Sequence, residues 1–211
     1  MPLRHLPSVP SNEEIKEKLL MCAGFSPRDR DLERAMAAVD ILLPQDDKKW
    51  AYNYLTTKTQ YGYVSNCAIF AQYYYQLKVL GMETDNNTTP YSLQLTQIFS
   101  DMIHNAQEFD AWVTSRDELK LPPEPGDIIH SGEGMTTHAS CVVDYDPKTQ
   151  TVFCVDGGQV DNTWIMERER AWKWDGTKAM LGTKPIKGYQ RIRILRAQAE
   201  NAVSDTDPPT P

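Results

Sequence analysis

The sequence predicts an α+β fold, with helices gathered around one buried helix and packed on an antiparallel β-sheet. Helix signals fill residues 11 to 105 and strand signals fill residues 128 to 195, and helices first with antiparallel strands later is the α+β order. Between Asn66 and Gly81 there is no Pro, no Gly and one charge, Lys78. Apolar and aromatic residues on nearly every face of that stretch mark a helix enclosed by the rest of the chain.

Ser11-Asn12-Glu13-Glu14 is a capping box leading into Ile15, Leu19 and Leu20, with Gly24 as the stop. Ser26-Pro27 opens a second helix carrying Leu32, Met36, Val39 and Leu43 to Pro44, and Asp46-Asp47 opens a third with Trp50 and Tyr54 inward. Asn66 caps the central helix and Gly81 ends it. A further helix runs from about Ser92 to Asn105, with His104 near its end meeting carbonyls or water. Leu121-Pro122-Pro123-Glu124-Pro125-Gly126-Asp127 then breaks the chain before strand-like Ile128-Ile129. His138–Tyr145 and Thr151–Asp156 read as a hairpin about Asp146-Pro147-Lys148-Thr149. Thr163–Met166 and Tyr189–Leu195 read as two more strands, the last from the alternation of Ile192 and Ile194 with Arg191 and Arg193. The expected organisation is one domain over 11–196, with 11–58 as a helical N-terminal layer and 59–196 as the core. A polar, proline-rich tail over 197–211 is expected to be disordered.

Composition narrows the function. The 211 residues are 40% hydrophobic and carry a net charge of −7, which argues against nucleic acid as a partner. Lys184, Lys187, Arg191, Arg193 and Arg196 form the one basic cluster that could offset that charge. No long apolar run is present, so no membrane insertion is expected. Met1–Pro7 lacks the apolar core of a signal peptide, and synthesis in the cytoplasm is expected. Cys22, Cys67, Cys141 and Cys154 lack the spacing of a disulfide framework, and Cys22 among Leu19, Leu20 and Phe25 reads as core.

Cys67 lies in the first turn of the central helix, where unpaired N–H groups and the helix dipole favour a thiolate. A small buried hydrophobe is the alternative reading of that residue. Thiol catalysis also needs a base and a group to orient it. His138, opening a strand after Ser131-Gly132-Glu133-Gly134, is the best base, and Asp156, ending the next strand, is the best orienting acid. Strand parity tests the pairing. If even residues face even ones across the hairpin, His138, Ser140, Cys154 and Asp156 share one face, and Cys141 points away from Cys154. An odd register would pair the two cysteines and separate His138 from Asp156.

Four stretches then resemble the papain-like amidases of the CHAP and NlpC type. They are Tyr61-Gly62 ahead of Asn66-Cys67-Ala68-Ile69-Phe70, Pro125-Gly126-Asp127-Ile128-Ile129, His138-Ala139-Ser140-Cys141-Val142-Val143, and Val155-Asp156-Gly157-Gly158. Those families cut amide bonds in peptidoglycan peptides. The resemblance implies a papain-like architecture, with Cys67 as nucleophile, His138 as base and Asp156 as orienting residue. It implies an oxyanion hole from the Cys67 backbone N–H and a polar side chain of the preceding loop, Tyr61 first, with Gln60 and Tyr63 as rivals. Gln159 is added as a substrate-binding candidate. The chain departs from the pattern where Gly157-Gly158-Gln159 follows the acid, where Ala68 follows the nucleophile, and in its helical N-terminus.

The expected function is therefore cysteine-dependent amide hydrolysis on a peptide or peptidoglycan fragment, without a cofactor. A wall hydrolase without a signal peptide would be released by lysis or exported by dedicated machinery. A protease or deamidase acting on a protein, and an inactive binding module, are the alternatives. His130, His138, Cys141 and Cys154 could be assembled into a zinc site, yet their spacing matches no metal motif. Tyr73-Tyr74-Tyr75 reads as core packing, and Trp164, Trp172 and Trp174 as groove lining or as closure of a small β-layer. Glu167-Arg168-Glu169-Arg170 reads as a solvated charge run.

Overall fold

In the hairpin of β3 (His138–Asp146) and β4 (Thr151–Gln159), alternation alone would leave one face wet, yet both faces are buried along most of the length. The reason is the architecture around it. The computed structural model describes residues 8–26, 67–82, 95–159 and 164–204. Among these, β2 (Ile128–Ser131), β3, β4, β5 (Trp164–Trp174), β6 (Ala179–Leu181) and β7 (Lys184–Gln190) pair antiparallel in that order, and β7 pairs back onto β2. The sheet thus closes into a six-stranded barrel, with β1 (Trp112–Val113) added beside β7.

This corrects the expected papain-like arrangement of a helical layer on a sheet: few helices are present among the described residues, and the organising body is the barrel. Two features close it. β5 pairs β4 over Thr151–Gln159 and then continues to pair β6 through Trp172, Lys173 and Trp174. Register shifts at His130/Ser131, Val142/Asp144 and Asp156/Gln159 bend the strands, as bulges do. All six strands contribute to an inner core of Ile129, Val142, Val152, Cys154, Trp172, Ala179, Leu181, Ile186 and Tyr189. Trp172 Nε1 donates to the Tyr189 hydroxyl at 3.0 Å within it.

The outer faces of β2, β3, β4 and β5 (Ile128, Ala139, Cys141, Val143, Val155, Ile165) pack with the helices in a second core. α1 (Asn12–Leu20) has the expected capping box between Ser11 and Glu14, and Ile15 and Leu19 are its buried residues. Gly24, as expected, sits beyond its end with a left-handed φ of 84°. The second and third expected helices, over 27–57, lie outside the described residues, as does Asn66.

α2 is the central helix. It starts as an α-turn over Cys67–Ile69 and continues with wider π-turns over Phe70–Val79, so that Leu80 N–H bonds the Tyr75 carbonyl five residues back. The wider turn is not signalled by the apolar pattern. Enclosure is: Ala68, Phe70, Ala71, Tyr74, Tyr75, Val79 and Leu80 are all buried. Tyr74 donates to the Lys18 carbonyl at 2.6 Å and Tyr75 to the Gly126 carbonyl at 2.5 Å, tying α2 to α1 and to the start of β2. Gln76 bonds the Met102 carbonyl of α3 (Leu95–Glu108) at 2.9 Å. His104 on α3 pairs with Glu108 at 3.1 Å.

Three further sequence readings are corrected. A one-turn helix, α4 (Arg116–Leu119), and strand β6 are present without having been expected. Residues 192–195 are not strand, and residues 197–204 are not disordered: α5 spans Ile192–Ser204. Ile192, Leu195 and Ala199 are buried at helical spacing, a pattern that the Arg-Ile alternation hid. Asp127 Oδ1 accepts the Ile192 N–H at 2.9 Å and so caps α5 from a distant segment.

Candidate active site

The bulge in β3 decides which side chains meet. Next to the hairpin turn, Asp146 faces Thr151 and Tyr145 faces Val152, an odd register. Past the shift at Val143, Val142 faces Cys154 and Cys141 faces Val155, so even residues now face even ones. Continuing that register sets Ser140 opposite Asp156, with His138 on the same face one position along. Cys141 packs with the helices, Cys154 lies in the inner core, and none of the four cysteines is in a disulfide.

His138 Nε2 lies 2.9 Å from Asp156 Oδ2, with the histidine side chain 12% exposed and the aspartate fully buried. The first turn of α2 packs against β3 and β4. It brings the Cys67 thiol into hydrogen-bond contact with the His138 side chain. With Nε2 engaged by the carboxylate, Nδ1 is the ring nitrogen left to exchange a proton with sulfur. Cys67 itself is 7% exposed. Two residues after Asp156, Gly158 adopts a φ of 67° at the irregularity between Asp156 and Gln159, a conformation that costs a glycine least.

The electrostatics follow from burial and charge together. Burial alone would lower the His138 pKa, but the Asp156 charge and hydrogen bond, with a smaller contribution from Cys67, push it up to about 9. Burial alone would raise the Asp156 carboxyl, but His138 and Arg170 hold it below its usual range. Arg170 of β5 contacts the same oxygen, Asp156 Oδ2, that His138 uses. Reading residues 167–170 as a solvated charge run missed this. On β5 the odd positions Glu167 and Glu169 are exposed while Arg168 and Arg170 are half-buried, so the signal lay in the parity of the strand.

No family model matches this chain, and no curated protein or solved structure matches it.

The site's chemistry therefore stands on its own geometry. The arrangement offers a thiol, an imidazole that carries a proton at neutral pH, and a buried carboxylate oriented by two cations. Such a set can deliver a sulfur nucleophile and return a proton to a leaving group. Tyr61, Gln60 and Tyr63, the expected oxyanion side chains, lie outside the described residues. The Gln159 amide is occupied within the chain: Nε2 donates to the Gly157 carbonyl at 3.1 Å, and Oε1 accepts from Arg168 Nε at 3.0 Å. Among the described residues, no group of three His, Cys, Asp or Glu side chains could hold a metal ion.

The other candidate side chains serve packing and pairing. Trp172 is inside the barrel, and Trp174 lies under Arg116 and Lys120 at 5.7 and 5.9 Å from its ring centre. His130 is stacked against Phe99 at 5.2 Å and tilted on Trp112 at 5.9 Å. Each member of the basic cluster is engaged within the chain. Lys184 bonds the Thr136 carbonyl at 2.9 Å, Lys187 pairs with Glu133 at 2.6 Å, and Arg193 pairs with Glu118 and Glu124. Arg196 bonds Asn12 Oδ1 at 2.7 Å, and Arg191 is fully buried against Asp127 at 2.7 Å. No described helix is long and apolar enough to cross a membrane.

Proposed function

We propose that this protein is a cysteine-dependent amide hydrolase acting through a thioester, with peptidoglycan stem peptides as its substrate class. The observation that carries the reading is the unbroken contact chain from Cys67 to His138 to Asp156. In this reading the proton of the Cys67 thiol rests on His138, whose imidazolium form Asp156 favours, and the Cys67 sulfur attacks the amide carbonyl carbon. The tetrahedral intermediate collapses as the imidazolium gives that proton to the departing amine, which leaves an acyl-Cys67 thioester. Water, deprotonated by the same imidazole, then hydrolyses the thioester and restores the thiol. Asp156 keeps the ring oriented and stabilises its charged form at both steps.

The substrate class is supported by the resemblance of four stretches to the CHAP and NlpC amidases, and the chemistry alone would equally serve a protease or deamidase acting on a protein. Digestion of purified peptidoglycan by the wild type and by Cys67→Ala, with the soluble fragments profiled by mass spectrometry, separates these. New peptide fragments from the wild type alone support wall cutting. Identical profiles from both proteins, with Cys67 still alkylatable in the wild type, overturn it.

A further inference from the structure

Arg170 stands outside the contact chain from thiol to carboxylate, yet it shares an oxygen with it. Asp156 Oδ2 meets both the His138 ring and the Arg170 guanidinium, and the carboxylate is fully buried. A carboxylate so enclosed is stable only with a cation beside it. His138 is an unreliable cation for this purpose, because the reaction proposed above requires it to give its proton away and take it back. A guanidinium, by contrast, is a permanent cation. The Arg170 side chain is 22% exposed, reaching in from the half-buried parity of β5.

We infer that Arg170 is a positioning residue: it holds Asp156 ionised and fixed while the His138 proton moves, so that the Cys67–His138 pair works over a wider range of acid pH. This rests on the proposed function of the site.

Among the described residues, the titratable groups around Asp156 and the pair come from four elements. Cys67 belongs to α2, His138 and Cys141 to β3, Cys154 to β4 and Arg170 to β5. The Cys141 and Cys154 thiols are pushed upward by burial first and by the Asp156 charge next, so they stay protonated and add no charge. Arg170 also touches the Cys154 thiol, which helps to hold its guanidinium in the inner core. Loss of the Arg170 charge acts through Asp156. The buried carboxyl becomes easier to protonate, and a protonated Asp156 no longer sustains the imidazolium.

The test reads the rate of iodoacetamide reaction at Cys67 against pH, mapped by mass spectrometry. The proteins compared are the wild type, Arg170→Met, Arg170→Gln, Arg170→Lys and His138→Ala. In Arg170→Met and Arg170→Gln the acid limb of the Cys67 profile is expected to move up by about one pH unit or more, and in Arg170→Lys to stay near the wild type. Should Arg170→Met fail to fold, Arg170→Gln, which keeps a donor to the carboxylate without the charge, decides between the two outcomes. Gln and Met profiles that superimpose on the wild type, with His138→Ala still losing acid-pH reactivity, overturn the role of Arg170 and leave the site's function standing. A His138→Ala profile equal to the wild type overturns the function itself.

Discussion

Asp156 Oδ2 stands 2.9 Å from His138 Nε2 because β3 carries one residue more than β4 at Val143. The register set at the hairpin turn would have put the two side chains on opposite faces. A local irregularity, ordinary in barrels, thus carries the geometry on which the site depends.

The charge of Asp156 is testable through its partner. Asp156→Asn keeps the shape and removes the charge, so the His138 midpoint should fall from about 9 towards the ordinary 6.5 or below. Proton NMR of the imidazole follows it directly. A midpoint unchanged in the variant would mean that the carboxylate does not govern the ring.

Stability should show the same pair in the alkaline direction. The folded His138 pKa of about 9 lies above its unfolded value, so the folded protein binds more protons between about 6.5 and 9. The contribution is complete below that window and is lost as pH rises through it. Urea midpoints should drop between about pH 6.5 and 9.5 in the wild type and drop less in Asp156→Asn.

His130 works with the opposite sign. Burial first, then the Lys187 charge, lower its pKa to about 4, and both ring nitrogens, between Phe99 and Trp112, lack a partner among the described residues. The unfolded chain binds the proton more tightly, so this contribution is present above about 6.5 and is lost as pH falls towards 4. His130→Phe, which keeps the aromatic stack, should unfold at higher urea than the wild type at about pH 5 and show a smaller difference at about pH 7.5.

Gly126 couples the central helix to the barrel. Its φ is +97°, its carbonyl accepts the Tyr75 hydroxyl, and an added Cβ would lie 2.9 Å from Ile192 Cγ1. Gly126→Ala should destabilise by ~1–3 kcal/mol, read as a lowered urea midpoint at unchanged m-value.

The pairing of His138 with Asp156 was legible in the sequence because a two-residue period leaves few registers, although the bulge that realises it was not. Arg170 was hidden because Glu-Arg-Glu-Arg reads as a solvated run unless the strand's inward parity is already known. Barrel closure was hidden because β6 is three residues long and pairs at both edges. Residues 191–195 fit strand and helix periods alike. What selects the helix is the Asp127 cap on Ile192 together with burial of Arg191, whose guanidinium bonds Asp127 and the carbonyls of Glu118, Leu121 and Pro122. Those contacts join residues more than sixty positions apart, beyond the reach of a local pattern.

The central claim is that Cys67 is the nucleophile and His138 its proton partner. Burial pushes Cys22 up to about 12 and holds Cys141 and Cys154 well above the ordinary thiol range, so these three should be silent towards iodoacetamide at about pH 6. The direct measurement is mass-spectrometric mapping of alkylated cysteines at that pH in the wild type and in His138→Ala. The account predicts modification of Cys67 alone in the wild type, and a roughly tenfold or slower reaction in His138→Ala. Reaction of Cys67 at the same rate in both proteins, or only above about pH 8, would contradict it.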